Sequence, residues 1–286
     1  MDSRTEFRIA MAQMCSARTQ AENLATVTAL AAEAGAEGAD MLALPEVASL
    51  MNADRKAAQA MVVAAKDDPF INGCKDLAAK HGIWIHTGST PVRAPDGRFF
   101  NRSTLIDDTG AVRAEYDKIH LFDINIEGKV VFTESKAFAP GDAAVVVETP
   151  WGCLGLTICY DLRFPYLYRA LARAGAQVLF IPAAFTVPTG QAHWHVLMRA
   201  RAIETGSFVI APAQSGHHDD GRDTYGHSLA VDPWGRVMAD MEEGAPKLQV
   251  VTLDLSRSAI ARAQIPALEN GRDVPLRRVQ TANFAV

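Results

Sequence analysis

Short apolar runs alternate with segments of helical period along most of the chain, and that alternation restricts the fold more than any other feature. Residues 7–14 form a strand-like run. Thr19-Gln20-Ala21-Glu22 then has capping-box spacing, and Leu24, Val27, Ala31 and Ala34 follow at helical period. Residues 41–44 read as a buried strand stopped by Pro45. Asp68-Pro69 reads as an N-cap followed by proline at the first helical position, which predicts a helix to about His81. Residues 83–88 return as a strand. Segments 99–107 and 111–116, bracketed by Asp96-Gly97 and Asp108-Thr109-Gly110, predict an antiparallel stretch. The second half repeats the scheme, with strands at 144–148, 154–158, 178–181, 208–212, 228–231 and 248–253. Its helices are expected over 163–174 and from Ala192 to near Gly206. Interleaved strands and helices predict an α/β fold with some antiparallel strands.

No linker or low-complexity segment divides the chain, so residues 1–286 are read as one domain. Residues 118–143 are polar and irregular, as in a functional loop. The tail, about 262–286, is polar and patternless, and is expected to wrap the surface or reach a partner subunit.

Composition closes off several function classes. Hydrophobic residues make up 49% of the chain and charged residues 21%, which is globular rather than disordered. Lysine and arginine number 28 against 33 acidic residues, so the net charge is -5. Nothing in that balance draws the chain to nucleic acid or an anionic membrane. The best apolar run, residues 178–187, is too short to span a bilayer and contains Pro182. The N-terminal residues lack a leader-like apolar core. Cysteines at 15, 74, 153 and 159 make no C-x-x-C pair, and they suit a reduced, cytoplasmic protein. His193-Trp194-His195 has i, i+2 spacing, which turns the two rings to different helix faces. No metal site and no phosphate loop is expected.

Three residues could carry chemistry, each at the carboxyl edge of a predicted strand. Cys159, in Leu-Thr-Ile-Cys-Tyr-Asp-Leu-Arg-Phe-Pro, sits where open α/β sheets place ligands and nucleophiles. A nearby helix N-terminus and Arg163 would favour its thiolate; a buried structural thiol is the alternative. Glu46 follows Met-Leu-Ala-Leu-Pro, so partial desolvation would raise its pKa toward that of a general base. The alternative is a loop carboxylate capping a helix. Lys118, in Glu-Tyr-Asp-Lys-Ile-His-Leu-Phe, could stabilise an oxyanion, or could be a surface lysine paired with Asp117. One crevice holding all three would supply a nucleophile, a proton carrier and a cation.

Leu-Pro-Glu, Tyr-Asp-Lys-Ile-His-Leu-Phe-Asp and Ile-Cys-Tyr-Asp-Leu-Arg-Phe-Pro together resemble the three signatures of the nitrilase, or carbon–nitrogen hydrolase, superfamily. The resemblance runs from about Arg8 to about Leu255. It implies a four-layer αββα sandwich that pairs into homodimers or higher homo-oligomers, and no metal or organic cofactor. It also implies Cys159 as nucleophile, Glu46 as general base and Lys118 as oxyanion holder, with a backbone N–H near Tyr160. A second glutamate near the lysine is implied at Glu134, in Phe-Thr-Glu-Ser, in preference to Glu127, in Asn-Ile-Glu-Gly.

Later segments resemble the Nit branch: Pro-Thr-Gly-Gln-Ala-His-Trp-His, Arg-Ala-Arg-Ala-Ile-Glu-Thr and Gln214-Ser215-Gly216-His217-His218. They imply cleavage of deaminated glutathione to 2-oxoglutarate and cysteinylglycine. Omega-amidase action on 2-oxoglutaramate or 2-oxosuccinamate, N-carbamoyl amino acid hydrolysis and a catalytically silent interaction protein stay open. An anionic amide needs donors. Arg163 could take a carboxylate bidentately, or pair with Asp161. Phe185, Thr186, Thr189 and His193 follow the strand ending at Ile181, near the same crevice. For His193 the alternative is a role at the helix start or in packing.

Overall fold

A computed structural model describes residues 6–126 and 130–279. The first half runs β1 (Glu6–Gln13), α1 (Gln20–Ala36), β2 (Met41–Ala43), α2 (Arg55–Met61), α3 (Pro69–His81), β3 (Trp84–His86), β4 (Thr90–Arg93), β5 (Phe99–Ile106) and β6 (Val112–Asp117). A hairpin of β7 (Asp123–Ile126) and β8 (Val130–Thr133) leads into β9 (Val145–Glu148) and β10 (Cys153–Leu156). Next come α4 (Pro165–Arg173), β11 (Val178–Phe180), α5 (Val187–Thr205) and β12 (Phe208–Ala211). The chain continues through β13 (Ser215–His217), β14 (Asp223–Tyr225), β15 (Leu229–Val231), β16 (Val237–Asp240), β17 (Lys247–Asp254) and α6 (Ser256–Gln264).

Local chemistry accounts for the helix starts. Thr19 Oγ1 caps α1 by accepting from the Glu22 N–H, and its hydroxyl donates to the Glu22 carboxylate rather than leaving that carboxylate to the Thr19 N–H. Asp68 Oδ1 accepts from the Ile71 N–H at 2.9 Å ahead of Pro69, and Gly82 closes α3 at φ 63°. Helix α5 begins at Val187, five residues before the expected start, with Pro188 in its first turn. Helix α4 begins at Pro165 rather than 163, because residues 159–163 form a separate 3-10 turn.

Two sheets form the centre. One has the order β17-β1-β2-β3-β5-β4, with β6 on the free side of β5; the other has the order β16-β15-β12-β11-β10-β9. Strands β1, β2 and β3 are parallel, as are β10, β11 and β12, and antiparallel strands flank each trio. The two halves therefore repeat one scheme. Strand β1 is buried on both faces: Phe7, Ile9 and Met11 join the core shared with the second sheet, while Ala10 and Ala12 pack with Val27 and Leu30 of α1 and Phe70 of α3. Leu167 and Leu171 of α4 and Trp194 and Met198 of α5 belong to the core of the second sheet. The layers are thus αββα.

The expected irregular loop at 118–143 is corrected: it contains the β7–β8 hairpin and a 3-10 turn at Glu134–Lys136. The start of the tail is held to the body: residues 262–264 end α6 (Ser256–Gln264), and Arg169 binds the carbonyls of Ala267 and Leu268.

His86 stacks on Phe180 of the other sheet, with ring centroids 4.8 Å apart. Its Nδ1 accepts from the Gly88 N–H at 3.2 Å and its Nε2 pairs with Ser103 Oγ at 2.9 Å. A proton on Nδ1 would meet that N–H, and burial pushes the imidazole pKa down to about 3. The unfolded chain binds this proton first, so stability is full above about pH 6.5 and falls as pH drops toward 3. The slope from this group is at most about 1.4 kcal/mol per pH unit. Urea unfolding midpoints should fall between pH 7 and pH 5, and His86→Gln should flatten that change.

Candidate active site

Glu46 follows β2, the strand held between β1 and β3. Val47 adopts a left-handed φ of 49°, which turns the chain sharply after Pro45. Gly88 makes the turn possible: at φ 66°, a Cβ there would stand 1.9 Å from the Pro45 carbonyl oxygen. Gln214 Nε2 donates to the Glu46 carbonyl at 2.8 Å, and Ser89 Oγ accepts from the Val47 N–H. The side chain is buried and fully engaged. Its Oε1 accepts from Lys118 Nζ at 2.9 Å and from Asn101 Nδ2 at 3.0 Å, and its Oε2 accepts from the Ala184 N–H at 2.9 Å.

Lys118 leaves the end of β6 and is only 2% exposed. The reading of a surface lysine paired with Asp117 is excluded, since Asp117 pairs with Arg102 instead. Lys118 Nζ reaches both Glu134 oxygens, at 3.2 and 3.0 Å, as well as Glu46. Glu134 is held in turn by the Phe122 N–H at 2.6 Å. Burial works against the ammonium charge, but Glu134 and Glu46 outweigh it and push the lysine pKa well up. Lys118 is therefore a permanent cation. Glu127, the other carboxylate considered beside it, lies outside the described residues.

Cys159 opens the 3-10 turn after β10 with a left-handed φ of 47°, and its N–H donates to the Pro182 carbonyl at 2.9 Å. A strained backbone of this kind projects a nucleophile from a sheet edge. Burial pushes its thiol pKa well up, the Glu46 carboxylate adds to this, and Lys118 opposes it. This corrects the expectation of a thiolate favoured by Arg163 and a helix N-terminus. A thiol raised in this way rests protonated beside the Glu46 carboxylate, so attack requires proton transfer to that base.

The three groups share a cavity of about 1360 Å³. Arg163 lines it, and of the two readings the Asp161 pair does not form. Asp161 is fully buried and instead accepts from Tyr116 Oη at 2.7 Å and from the Ile158 N–H at 2.8 Å, and it also bonds His120. The Arg163 guanidinium lies 5.5 Å from the Phe185 ring centroid and 5.8 Å from that of Tyr160. No carboxylate among the described residues pairs with it. Tyr160, Phe185, Thr186 and Thr189 also line the cavity, and the two threonine hydroxyls bond each other at 2.8 Å at the start of α5. His193 is displaced from the expected group: it stands exposed on α5 and contacts Arg163 from behind, Nδ1 to Nη1, at 3.3 Å.

Sequence reasoning missed Asn101, which bonds Glu46 and reaches Glu134 at 3.5 Å. It also missed the Ala184 N–H. Asn101 lies inside β5 beside Arg102, Ser103 and Thr104, where nothing sets it apart from other polar strand residues, and a backbone donor leaves no trace in residue type.

The carbon–nitrogen hydrolase family model matches residues 8–263, and the chain belongs to that family. It is an enzyme of amide hydrolysis. Among its relatives, a deaminated glutathione amidase from Synechocystis is 41% identical over 269 residues, covering 92% of this chain and 97% of that protein. The Caenorhabditis elegans NitFhit crystal structure superposes with a TM-score of 0.87 at 38% identity, covering 93% of this chain and 65% of that one. An amidase from Nesterenkonia sp. AN1 superposes with a TM-score of 0.76 at 27% identity, covering 93% and 94%. That structure, of a Glu-to-Gln mutant, shows covalent addition of the acetamide moiety of fluoroacetamide at its active-site cysteine.

Proposed function

We propose that this protein hydrolyses the amide bond of deaminated glutathione, releasing 2-oxoglutarate and cysteinylglycine through a thioester on Cys159. The observation that carries the reading is the cluster of Lys118 between Glu46 and Glu134, with Cys159 in the same cavity. The names of the relatives support the substrate.

Glu46 takes the thiol proton as Cys159 Sγ attacks the amide carbonyl. Lys118 Nζ and the Tyr160 N–H hold the developing oxyanion. Glu46 then gives the proton to the departing amine, and the C–N bond breaks to leave the thioester. Water enters, Glu46 takes its proton, and collapse of the second tetrahedral species frees the acid and the thiol. Glu134 keeps the ammonium in place and balances its charge. No metal or organic cofactor takes part.

The substrate is anionic, and Arg163, a cation in the cavity wall that no carboxylate among the described residues pairs with, is placed to hold its carboxylate. Arg163→Met is expected to raise KM for an anionic amide about tenfold or more with a smaller change in kcat. An equal fall in kcat alone would remove this role. The substrate reading is tested by comparing kcat/KM on deaminated glutathione and 2-oxoglutaramate, following 2-oxoglutarate. Preference for 2-oxoglutaramate would make the protein an omega-amidase.

The chain acts as one domain with a C-terminal tail, and it assembles as a homodimer in the cytoplasm. Exposed Val196 and Ile203 on α5 and Ile260 on α6 support the pairing. No helix among the described residues is long and apolar enough to cross a membrane.

A further inference from the structure

Outside the catalytic cluster, three polar side chains from separate elements converge. His195 stands on α5, His227 precedes β15, and Asp240 ends β16. His195 Nε2 lies 2.9 Å from Asp240 Oδ2, and His227 Nδ1 lies 2.9 Å from Asp240 Oδ1. One ligand atom from each of the three lies within 4.8 Å of the others. The i, i+2 spacing of His193 and His195 does send their rings apart, one to Arg163 and the other to Asp240. The partner that the sequence could not supply is His227, 32 residues further along the chain.

His227 and Asp240 are held in place by further contacts. The His227 backbone holds a left-handed φ of 57°, and its carbonyl accepts from Trp194 Nε1 at 2.8 Å. The Tyr225 ring stacks on the His227 ring with centroids 4.4 Å apart. The Glu242 N–H donates to Asp240 Oδ1 at 2.9 Å. The three side chains are 34%, 20% and 29% exposed, so an ion can enter from solvent.

We propose that His195, His227 and Asp240 form a binding site for one divalent transition-metal ion, with zinc the best fit. Two imidazole nitrogens and one carboxylate are a borderline donor set, which suits zinc and leaves a fourth position for water. Magnesium and calcium prefer all-oxygen sites. On binding, each neutral imidazole carries its proton on the outer nitrogen, Nδ1 of His195 and Nε2 of His227. The lone pairs of the inner nitrogens then face the ion. No redox change is involved. The ion would clip α5 to β16 and to the segment before β15, behind Tyr225, which lines the cavity. Its role is structural, and it is independent of the amide chemistry.

The test uses tag-free, chelator-treated full-length protein with Cys15→Ser and Cys159→Ala, so that thiols do not capture the metal. Zinc chloride is titrated by calorimetry, and cobalt(II) absorption reports the ligand set. One equivalent of zinc per chain, with a rise in melting temperature, is expected. His195→Gln and Asp240→Asn, each with an unchanged circular dichroism spectrum, should weaken binding about tenfold or more. Undetectable binding, or equal affinity in these variants and the parent, would overturn the proposal.

Discussion

Cys159→Ala should lower amide turnover by about 10⁴-fold or more while leaving the protein folded. In the proposed mechanism the Cys159 thiol forms the bond to the carbonyl carbon, and the cavity and oxyanion donors without it offer binding alone. The substitution keeps a Cβ at the same left-handed position, so the backbone strain at φ 47° is already tolerated. The change in unfolding free energy should stay within about 1–2 kcal/mol. Steady-state assay together with a urea melt separates the two readouts. Turnover within tenfold of the parent would remove Cys159 from the mechanism.

Lys118→Met should cost both stability and activity. It leaves Glu46 and Glu134 buried without the cation they share. Breaking a buried pair from one side typically costs about 3–5 kcal/mol, because the remaining charge is uncompensated. Loss of the oxyanion cation should lower kcat about 10²–10³-fold. Adding Glu134→Gln to Lys118→Met should recover part of the stability and none of the activity, since one of the two stranded carboxylates is then neutral. Denaturant melts of the single and double variants measure the first effect. Recovery of activity in the double variant would contradict the role given to Lys118.

The layers were legible because both sheets obey simple rules. Apolar runs between capped helices predicted β1, β2, β10, β11 and β12, and Asp68-Pro69 predicted the start of α3 to the residue. The same logic failed in three kinds of place. The Asp123-Ile124-Asn125-Ile126 alternation of β7 was masked by its polar half, so a hairpin read as a loop. Short α2 and the β13–β14 hairpin carry too few apolar residues to show a period. The helix expected from Arg163 starts at Pro165, because Arg163 closes the 3-10 turn Cys159–Arg163, and residue type alone does not separate the two kinds of turn.

For the site, residue type and strand-end position selected Glu46, Lys118 and Cys159, and the fold brings them to one cavity. Their charge states were another matter. A lone cysteine near an arginine suggests a thiolate, yet burial and the Glu46 carboxylate dominate in the folded site. Arg163 was ambiguous because its freedom depends on Asp161, whose partners Tyr116 and His120 come from a different sheet and loop. Such competition among partners cannot be read from neighbours in sequence.

The central claim is a thioester at Cys159, and rapid-quench mass spectrometry during turnover of deaminated glutathione tests it most directly. The account predicts a peptide containing Cys159 that carries one 2-oxoglutaryl group, formed at the rate of cysteinylglycine release and lost as 2-oxoglutarate appears. Full turnover with Cys159 unmodified at every time point, or the acyl group on any other residue, would contradict it.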